Sequence, residues 1–252
     1  MALVASGLLV LVTTLGGSGF SPAMALPDKA DMPIYRLMQT NLRFDNETPN
    51  EVIRLIGEFK PDVIAAEEIS QMWKLKLAAL KHMYPHQVFC VDHNGLGDVA
   101  VLSRRPFVEN AANFCAGGGG FVIQVVDFGG REVLVGAMHL HWPWQFHQAR
   151  EINELSPALK SMALSGLPML IAGDTNSVPW SYSVRRIAAL SKSAHLPFKG
   201  ASWLDFSLPS SWTGWLGLPI DNVFARGVAT HSIETGRHVG SDHLPVLVEF
   251  TI

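Results

Sequence analysis

Short apolar runs that end abruptly in an acid, an amide or a histidine constrain the fold of this chain more than any other feature. The clearest run covers residues 169–172, stops at a glycine and is followed by Asp174 and Asn176. A run of this length is typical of a buried strand, and residues two apart can point the same way as the chain leaves it. Asp174 and Asn176 can therefore converge on one ligand, such as an oxygen-rich anion or a hard metal ion. The competing interpretation is a turn that caps the following helix.

Strand-like runs alternate with helical patterns in both halves of the chain. In the first half, residues 34–40 and 62–66 flank a helix whose apolar residues recur at helical spacing: Val52, Leu55, Ile56 and Phe59. In the second half, helices are predicted over residues 145–164 and about 181–190. The remaining strands are predicted over residues 87–91, 98–103, 121–128, 132–138, 220–225 and 244–252. The pattern favours an α/β sandwich over a purely parallel sheet.

Two local signals concern the helices. Thr48, Pro49 and Glu51 match a capping box, in which Thr48 accepts from first-turn amides and Glu51 reaches back. Pro49 suits the first helical position because its missing N–H has no partner there. Pro157 is expected to kink or restart the helix predicted over residues 145–164.

The N-terminal stretch is strongly apolar. Residues 2–20 carry no charge, and Ala23, Met24 and Ala25 form a small-x-small pattern typical of signal-peptide cleavage. No positive region precedes the apolar run, however, and its length is close to the ~20 residues that span a bilayer. We predict a signal peptide or transmembrane anchor over residues 1–25, a linker over 26–33 and a folded domain over 34–252; a buried helix is the third alternative. The first two interpretations place the folded domain outside the cytoplasm or at a membrane surface.

The composition excludes several classes of protein. The chain has 252 residues, of which 48% are hydrophobic and 16% charged, so it is neither disordered nor a coiled coil. A formal net charge of −3 argues against extensive nucleic-acid binding, although it does not exclude a nuclease. Cys90 and Cys115 are too few for a zinc cluster. They could pair in an exported protein, but two small buried apolar side chains are the favoured interpretation.

Polar residues with a shared setting lie at the predicted strand ends. They are Asn41, Glu68, His139, Asp174, Asn176, Asp221, Asp242 and His243. Any one of them is more often a cap or a satisfied turn residue, but the full set is hard to explain as caps. Oxygen ligands of this kind favour Mg²⁺, Mn²⁺ or Ca²⁺. The sequence contains no cysteine cluster and no HExxH run, which argues against a standard zinc site.

The segments around these residues resemble the motifs of the endonuclease/exonuclease/phosphatase superfamily. That family includes DNase I-like nucleases, abasic-site endonucleases, inositol polyphosphate 5-phosphatases and sphingomyelinases. The matching segments occur in the family's order across residues 34–252: MQTNLRFD (38–45), PDVIAAEE (61–68), GDVAVLSR (97–104), MHL (138–140), GDTN (173–176), ID (220–221) and GSDHLP (240–245). The resemblance implies a DNase I-like four-layer α/β sandwich, in which two mixed β-sheets pack face to face with helices outside. The apolar N-terminus also resembles a bacterial membrane-associated branch.

The resemblance implies a role for each residue. Glu68, with Asn41 and Asp242, would hold Mg²⁺ or Mn²⁺, which lowers the pKa of bound water and neutralises developing charge. Asp174 would orient or deprotonate the attacking water, and Asn176 would position phosphate or water.

Two histidines complete the expected machinery. His243, oriented by Asp221, would stabilise the charge that develops on phosphorus, and His139 would do so from the other side. A carboxylate partner fixes a histidine's tautomer and raises its proton affinity. Asp92 and Asp98 are the candidate partners of His139.

Several residues depart from the family's pattern. Glu67 stands where the family usually has glutamine, so Glu68 is the expected ligand. Gln39 and Thr40 replace a commoner Thr-Tyr, and Asn222 replaces a frequent histidine; neither change is expected to touch a catalytic role. A further distinctive segment, Trp142-Pro143-Trp144, is expected either to form an apolar or stacking wall at the site or to be a packed loop.

The predicted function is Mg²⁺-dependent hydrolysis of a phosphate ester, of the phosphodiesterase or endonuclease type. The alternatives are a phospholipid or inositol-phosphate phosphatase of the same superfamily and a catalytically inactive binding module on the same fold. The expected substrates are nucleic acid, phospholipid or a small phosphodiester. The N-terminal segment is expected to contact a membrane, and no protein partner is inferred.

Overall fold

The computed structural model of the protein describes residues 32–91, 97–109, 114–205 and 207–252. The predicted signal peptide or anchor and most of the predicted linker lie outside these residues, as does Asp92. Within the described ranges, no helix is long and apolar enough to cross a membrane.

The first sheet contains six strands. Their spatial order is β11 (Ala229–Thr235), β12 (Val246–Thr251), β1 (Tyr35–Asn41), β2 (Val63–Ile69), β4 (Asp98–Ser103) and β3 (His86–Cys90). The β1–β2 pair is parallel and the other neighbours are antiparallel. A parallel pair needs a crossover, and helix α1 (Pro49–Phe59) supplies it. Helix α2 (Gln71–Ala78) follows β2.

The second sheet repeats this plan. Its order is β5 (Phe114–Ala116), β6 (Phe121–Asp127), β7 (Glu132–Met138), β8 (Met169–Asp174), β10 (Asp221–Arg226) and β9 (Ala194–Leu196). Again one central pair, β7–β8, is parallel, and helix α3 (His147–Ser165) connects its strands. Helices α4 (Tyr182–Ser191) and α5 (Thr213–Leu216) lie in the connections from β8 to β9 and from β9 to β10.

Three apolar clusters hold four layers together. Leu37, Val63 and Leu170 belong to the cluster between the two sheets, whereas Met38 faces α1 and α2, and Ile171 faces α3 and α4. Strands that are buried on both faces have near-continuous apolar sequences, which explains the short apolar runs noted in this chain. The predicted four-layer α/β sandwich with two mixed sheets is therefore confirmed.

Both parallel pairs end at the same edge of the sandwich. Strands β1, β2, β7 and β8 finish there, and their antiparallel neighbours β12 and β10 begin there. In register, Asp174 at the end of β8 faces Asp221 at the start of β10. The polar strand-end residues of the two sheets are therefore brought towards one another.

Two local predictions are wrong. Helix α1 begins at Pro49 as predicted, but the Thr48 hydroxyl donates to Asn46 Oδ1 at 3.3 Å and does not cap the helix. Glu51 does not reach back because its carboxylate binds Arg54 and Arg237.

Of the two expectations for Pro157, a restart of the helix is contradicted, because helix α3 continues through this residue. The residues on either side of Pro157 pack into the core, and this burial outweighs the lost hydrogen bond.

A disulfide joins Cys90 to Cys115, so the favoured interpretation of two unpaired buried side chains is wrong. Cys90 ends β3 and Cys115 lies in β5, and these are edge strands of different sheets. The two cysteines become neighbours only when the sheets pack face to face. Spacing along the chain could not show this pairing.

Candidate active site

Two glycines allow the backbone to pack closely at the strand ends where the candidate site residues lie. A Cβ on Gly173 would lie 1.8 Å from the carbonyl oxygen of Met138, so only glycine lets the end of β8 approach the end of β7. A Cβ on Gly97 would lie 2.9 Å from the Cα of Glu68, at a bulge between β2 and β4. Glu68 and Asn176 themselves have positive φ angles of 55° and 47°, an uncommon conformation for residues with a Cβ.

Asp174 lies at the centre of the cluster. Its Oδ1 accepts from the backbone N of Asn176 at 2.7 Å, and its Oδ2 accepts from Asn41 Nδ2 at 3.2 Å. The Nε2 atoms of His139 and His243 both lie 3.5 Å from the same Oδ2. Burial raises the pKa of Asp174 to about 7, although the charge of His243 opposes this shift. A carboxyl group with this pKa can accept or release a proton near neutral pH.

His243 is fixed by Asp221 as the sequence predicted. Its Nδ1 lies 2.8 Å from Asp221 Oδ2, and both side chains are buried. Burial lowers the pKa of His243, but the charges of Asp221 and Asp174 outweigh burial and raise it to about 10. Burial likewise opposes ionisation of Asp221, and the charge and hydrogen bond of His243 reverse the balance and lower its pKa. The pair is therefore an imidazolium bound to a carboxylate, with Nε2 directed at Asp174.

Gln39 connects this pair to the other sheet. Its Nε2 donates to Asp221 Oδ1 at 2.7 Å and to Glu67 Oε2 at 2.9 Å, and all three side chains are fully buried. Burial and the charge of Asp221 raise the pKa of Glu67 well above its ordinary value. We call Gln39, Glu67, Asp174, Asp221 and His243 the polar floor.

Three predicted metal ligands lie beside the polar floor. Glu68 Oε1 accepts from Asn41 Nδ2 at 3.0 Å, and its Oε2 accepts from the backbone N of Phe44 at 3.2 Å. Asp242 Oδ2 accepts from Trp203 Nε1 at 3.0 Å. Burial is the main cause that raises the pKa of Glu68, and the nearby charge of Asp242 adds to it.

This donor set fits a hard divalent cation. Glu68 and Asp242 are acids close enough to repel each other, and a cation would offset both that repulsion and the burial of Glu68. Asn41 Nδ2 bonds both Glu68 and Asp174, so in this structure Asn41 positions these carboxylates. A second group, Asp174, Asp221 and His243, brings its ligand atoms within 4.8 Å of one another, but the hydrogen bond between His243 and Asp221 already accounts for that spacing.

The segment after β8 is braced from two sides. Asn176 Nδ2 donates to the carbonyl of Leu140, which ties this segment to the one that carries His139. Asn222 Nδ2 donates to Thr175 Oγ1 at 2.7 Å and to the carbonyl of Ser177 at 2.8 Å. The loop that presents Asp174 is therefore held in one conformation.

Sequence reasoning missed three contributors. The expectation that Gln39 and Asn222 touch no role is wrong, because Gln39 binds Asp221 and Asn222 braces the Asp174 loop. Glu67 was not among the predicted site residues, because Glu68 was the expected metal ligand, yet Glu67 belongs to the polar floor through its hydrogen bond with Gln39. The signal that could have found Gln39 is its position two residues before Asn41 on the same strand, which places both side chains on one face.

Of the two candidate partners of His139, Asp92 lies outside the described residues, and Asp98 forms an ion pair with Lys74 at 2.5 Å. His139 Nε2 lies 3.5 Å from Asp174 Oδ2.

The mouth of the site is a cleft of about 270 Å³. Leu204, Leu208, Ser210 and Thr213 line it from the β9–β10 connection, and Arg43, His238 and the segment 240–242 line it from the other side. The Trp142 ring packs edge-on against that of Trp203 at 5.4 Å, and the Trp203 ring lies 6.5 Å from that of His243. Trp144 is 72% exposed, whereas Trp142 is 37% exposed and packs on Trp203, so the two aromatic residues of this segment differ in their burial.

A four-layer sandwich with carboxylates, amides and histidines gathered at one edge defines a fold of the DNase I-like class. The chain belongs to the Endonuclease/Exonuclease/phosphatase family, whose model matches residues 38–243. The resemblance inferred from the motifs is thereby confirmed.

Solved structures share the fold at low sequence identity. An endonuclease/exonuclease/phosphatase from Beutenbergia cavernae is 21% identical, covers 87% of this chain and 72% of its own, and superposes with a TM-score of 0.66. TDP2 from D. rerio, complexed with a single-strand DNA product, is 16% identical over 87% of this chain and 99% of its own, with a TM-score of 0.68.

A curated relative is similar over part of the chain. A UPF0294 protein from Vibrio vulnificus is 33% identical over 117 residues, which is 46% of this chain and 37% of the relative. The match thus spans little more than a third of the relative's length.

Proposed function

We propose that the protein hydrolyses a phosphodiester with water and a divalent cation, Mg²⁺ or Mn²⁺. One observation carries this proposal: the buried Asp174 carboxylate lies between two imidazoles and beside Glu68 and Asn41, the predicted metal ligands. Phosphoryl transfer requires mainly positioning and charge stabilisation, which a rigid cluster of this kind provides.

The side chains at the centre of the site have distinct tasks. Asp174, with a pKa of about 7, accepts the proton of the attacking water. His243 Nε2–H, held by Asp221 at Nδ1, donates a hydrogen bond to the charge that develops on the phosphoryl oxygens. His139 reaches the same position from the β7 side. Asn176, fixed by the Leu140 carbonyl, helps to position phosphate or water.

Glu68, Asn41 and Asp242 would hold the cation, which would lower the pKa of bound water and neutralise charge on the phosphate. Asn41 also restrains Glu68 and Asp174 through its amide hydrogens.

The cleft favours a diester over a monoester. Among the described residues that line the cleft, Arg43 is the arginine. A phosphodiester carries one negative charge, whereas a phosphomonoester carries about two near neutral pH, so one arginine matches the charge of the diester better. A phospholipid or inositol-phosphate phosphatase of the same family is the alternative, and nucleic acid, phospholipid and small phosphodiesters are the substrate classes to compare.

The experiment is hydrolysis of bis(p-nitrophenyl) phosphate with Mg²⁺. Asp174→Ala is expected to lower the rate about 10²–10⁴-fold, the range for removal of a general base. Glu154→Ala, which removes an exposed acid on α3, is the matched control. Equal rates in wild type and Asp174→Ala would reject the catalytic assignment and favour an inactive binding module. Plasmid DNA, RNA, sphingomyelin and inositol phosphates assayed in parallel would identify the substrate class.

We further propose that the catalytic domain of residues 34–252 lies outside the cytoplasm, carried there by residues 1–25. The disulfide supports an oxidising compartment. Carbonate extraction of membranes distinguishes the two forms: an anchored protein stays in the pellet, whereas a cleaved signal peptide yields a soluble protein with a new N-terminus. A protein found reduced in the cytoplasm would contradict the proposal.

A further inference from the structure

Exposed aromatic side chains surround the site on its second-sheet side. Six of them form what we call the aromatic rim: Trp142, Trp144, Phe146, Trp180, Trp212 and Trp215. Trp215 is 90% exposed, Phe146 80% and Trp144 72%. A soluble protein rarely leaves so many large apolar side chains in water unless they serve as a contact surface.

The rim consists of three segments that leave the same edge of the sandwich. Residues 142–146 follow His139 after β7, Trp180 follows Asp174 after β8, and residues 212–215 precede Asp221 at the start of β10. Each segment is therefore a direct extension of a strand end that carries a proposed catalytic group.

Polar bonds beneath the rim hold these segments together. Gln148 Nε2 donates to the carbonyls of His141 and Thr175, and Gln148 Oε1 accepts from Ser177 and Ser183. The third segment is tied in through Trp203, which packs against Trp142 and pairs its backbone with Leu218. Because these bonds lie on the buried side, the aromatic rings are directed outward as a surface of fixed shape.

The charges around the aromatic rim indicate which kind of partner binds it. The segments 140–150, 175–192 and 207–220 contain no aspartate or glutamate, whereas Arg150 and Arg185 are exposed beside them. Tryptophan is amphipathic and prefers the boundary between water and acyl chains, and arginine attracts anionic headgroups. A single-strand nucleic-acid groove would also use aromatic rings, but it needs basic residues that track the backbone, and this chain has a net charge of −3.

We propose that the aromatic rim docks the protein onto a phospholipid bilayer. Its rings enter the interface between headgroups and acyl chains, and the cleft lined by Leu204, Leu208 and Asp242 then faces the headgroups. Docking does not depend on the proposed chemistry, so a protein that cannot hydrolyse a phosphate ester still docks.

The test uses the full chain, vesicles of equal parts phosphatidylcholine and phosphatidylglycerol, and brominated phosphatidylcholine as a quencher of tryptophan fluorescence. Residues 1–31 contain no tryptophan, so insertion of the N-terminal segment alone gives no quenching. Trp73 is fully buried and serves as an internal reference. We expect a blue shift and strong quenching in the wild type and the same response in Asp174→Ala, which separates docking from catalysis.

A matched pair of variants locates the contact. Trp144→Ser with Trp215→Ser is expected to weaken the vesicle partition coefficient at least about tenfold, because two exposed aromatic surfaces are lost. Leu75→Ser with Leu164→Ser removes two leucines that are 68% and 80% exposed and lie outside the rim, and it is expected to leave the partition coefficient within about twofold. Circular dichroism checks that both variants fold.

Three outcomes would overturn the proposal. The first is sedimentation with vesicles without tryptophan quenching, which would assign membrane contact to residues 1–31. The second is equal weakening by both pairs of substitutions. The third is a dimer or an intrachain contact that already shields the rim, shown by light scattering or by a wild-type emission maximum that vesicles do not shift.

Discussion

The polar floor and the aromatic rim reverse the usual distribution of side chains. The floor places Gln39, Glu67 and Asp221 out of contact with water, whereas the rim leaves Trp144 and Trp215 largely in water. A buried polar group costs about 1–3 kcal/mol if it is left without a hydrogen bond. The floor offsets much of this cost because its members bind one another across the two sheets. Gln39 Oε1 and Glu67 Oε1 still have no hydrogen-bond partner among the described residues.

This difference in burial between the two regions identifies the part of the fold that is adapted to function. The three apolar clusters obey the ordinary rules of burial, whereas the buried polar floor and the exposed aromatic rim both belong to the edge where the strands of the site end. Departures from local rules are expected at functional sites, because catalysis and binding require arrangements that stability alone does not favour. The floor should therefore control turnover, and the rim should control docking.

After Asp174→Ala, the largest expected effect on turnover comes from Glu68→Gln, at a residue beside the polar floor. Loss of the carboxylate charge weakens the proposed cation site, so kcat/KM should fall about a hundredfold or more, since a metal supplies several kcal/mol to phosphoryl transfer. A higher Mg²⁺ concentration should be needed for half-maximal rate, which a titration measures. An unchanged Mg²⁺ requirement would remove Glu68 from the cation site.

The next effect concerns Asp221→Asn. The amide cannot stabilise the His243 imidazolium, so kcat should fall about tenfold to a hundredfold while KM changes less. Steady-state kinetics separate the two parameters. A rise in KM alone would place Asp221 outside the catalytic pair.

A much smaller effect is expected for Glu67→Gln, the neighbour of Glu68. Glutamine has the same shape, and its Oε1 can accept the Gln39 hydrogen bond that Glu67 accepts at 2.9 Å. Turnover should stay within about threefold of the wild type, because burial raises the pKa of Glu67 and so disfavours the charge that glutamine lacks. A drop as large as that of Glu68→Gln would show that Glu67 acts as a charged group.

The smallest effect on turnover should come from removal of the disulfide, which joins edge strands of the two sheets. Cys90→Ser with Cys115→Ser should lower the free energy of unfolding by about 3 kcal/mol through the lost loop constraint. Urea unfolding measures this change, and reduced wild type is the control. Turnover at 25 °C should be unaffected, and a large loss there would mean that the disulfide shapes the site itself.

The sequence predicted local order well and long-range contacts poorly. The strands β4 and β7 have the predicted bounds, and the polar strand ends do converge. The short strands β5 and β9 and the edge strand β11 were missed, because three-residue strands and exposed edge strands carry little apolar periodicity.

Contacts between the sheets lie beyond the reach of sequence patterns. Gln39 binds Asp221, 182 positions away, and this bond depends on how the two sheets stack. The pairing of Cys90 with Cys115 depends on the same stacking. The candidate site residues occur in local motifs and could therefore be predicted from the sequence, whereas the bonds that orient them are set by tertiary packing.

The most direct test of the central claim is the rate of bis(p-nitrophenyl) phosphate hydrolysis before and after removal of divalent cations. Treatment with EDTA should abolish the activity of the wild type, and addition of Mg²⁺ or Mn²⁺ in excess should restore it. The account predicts that Asp174→Ala remains inactive in both conditions. Full activity in EDTA would contradict a metal-dependent phosphodiesterase site at this edge of the sandwich.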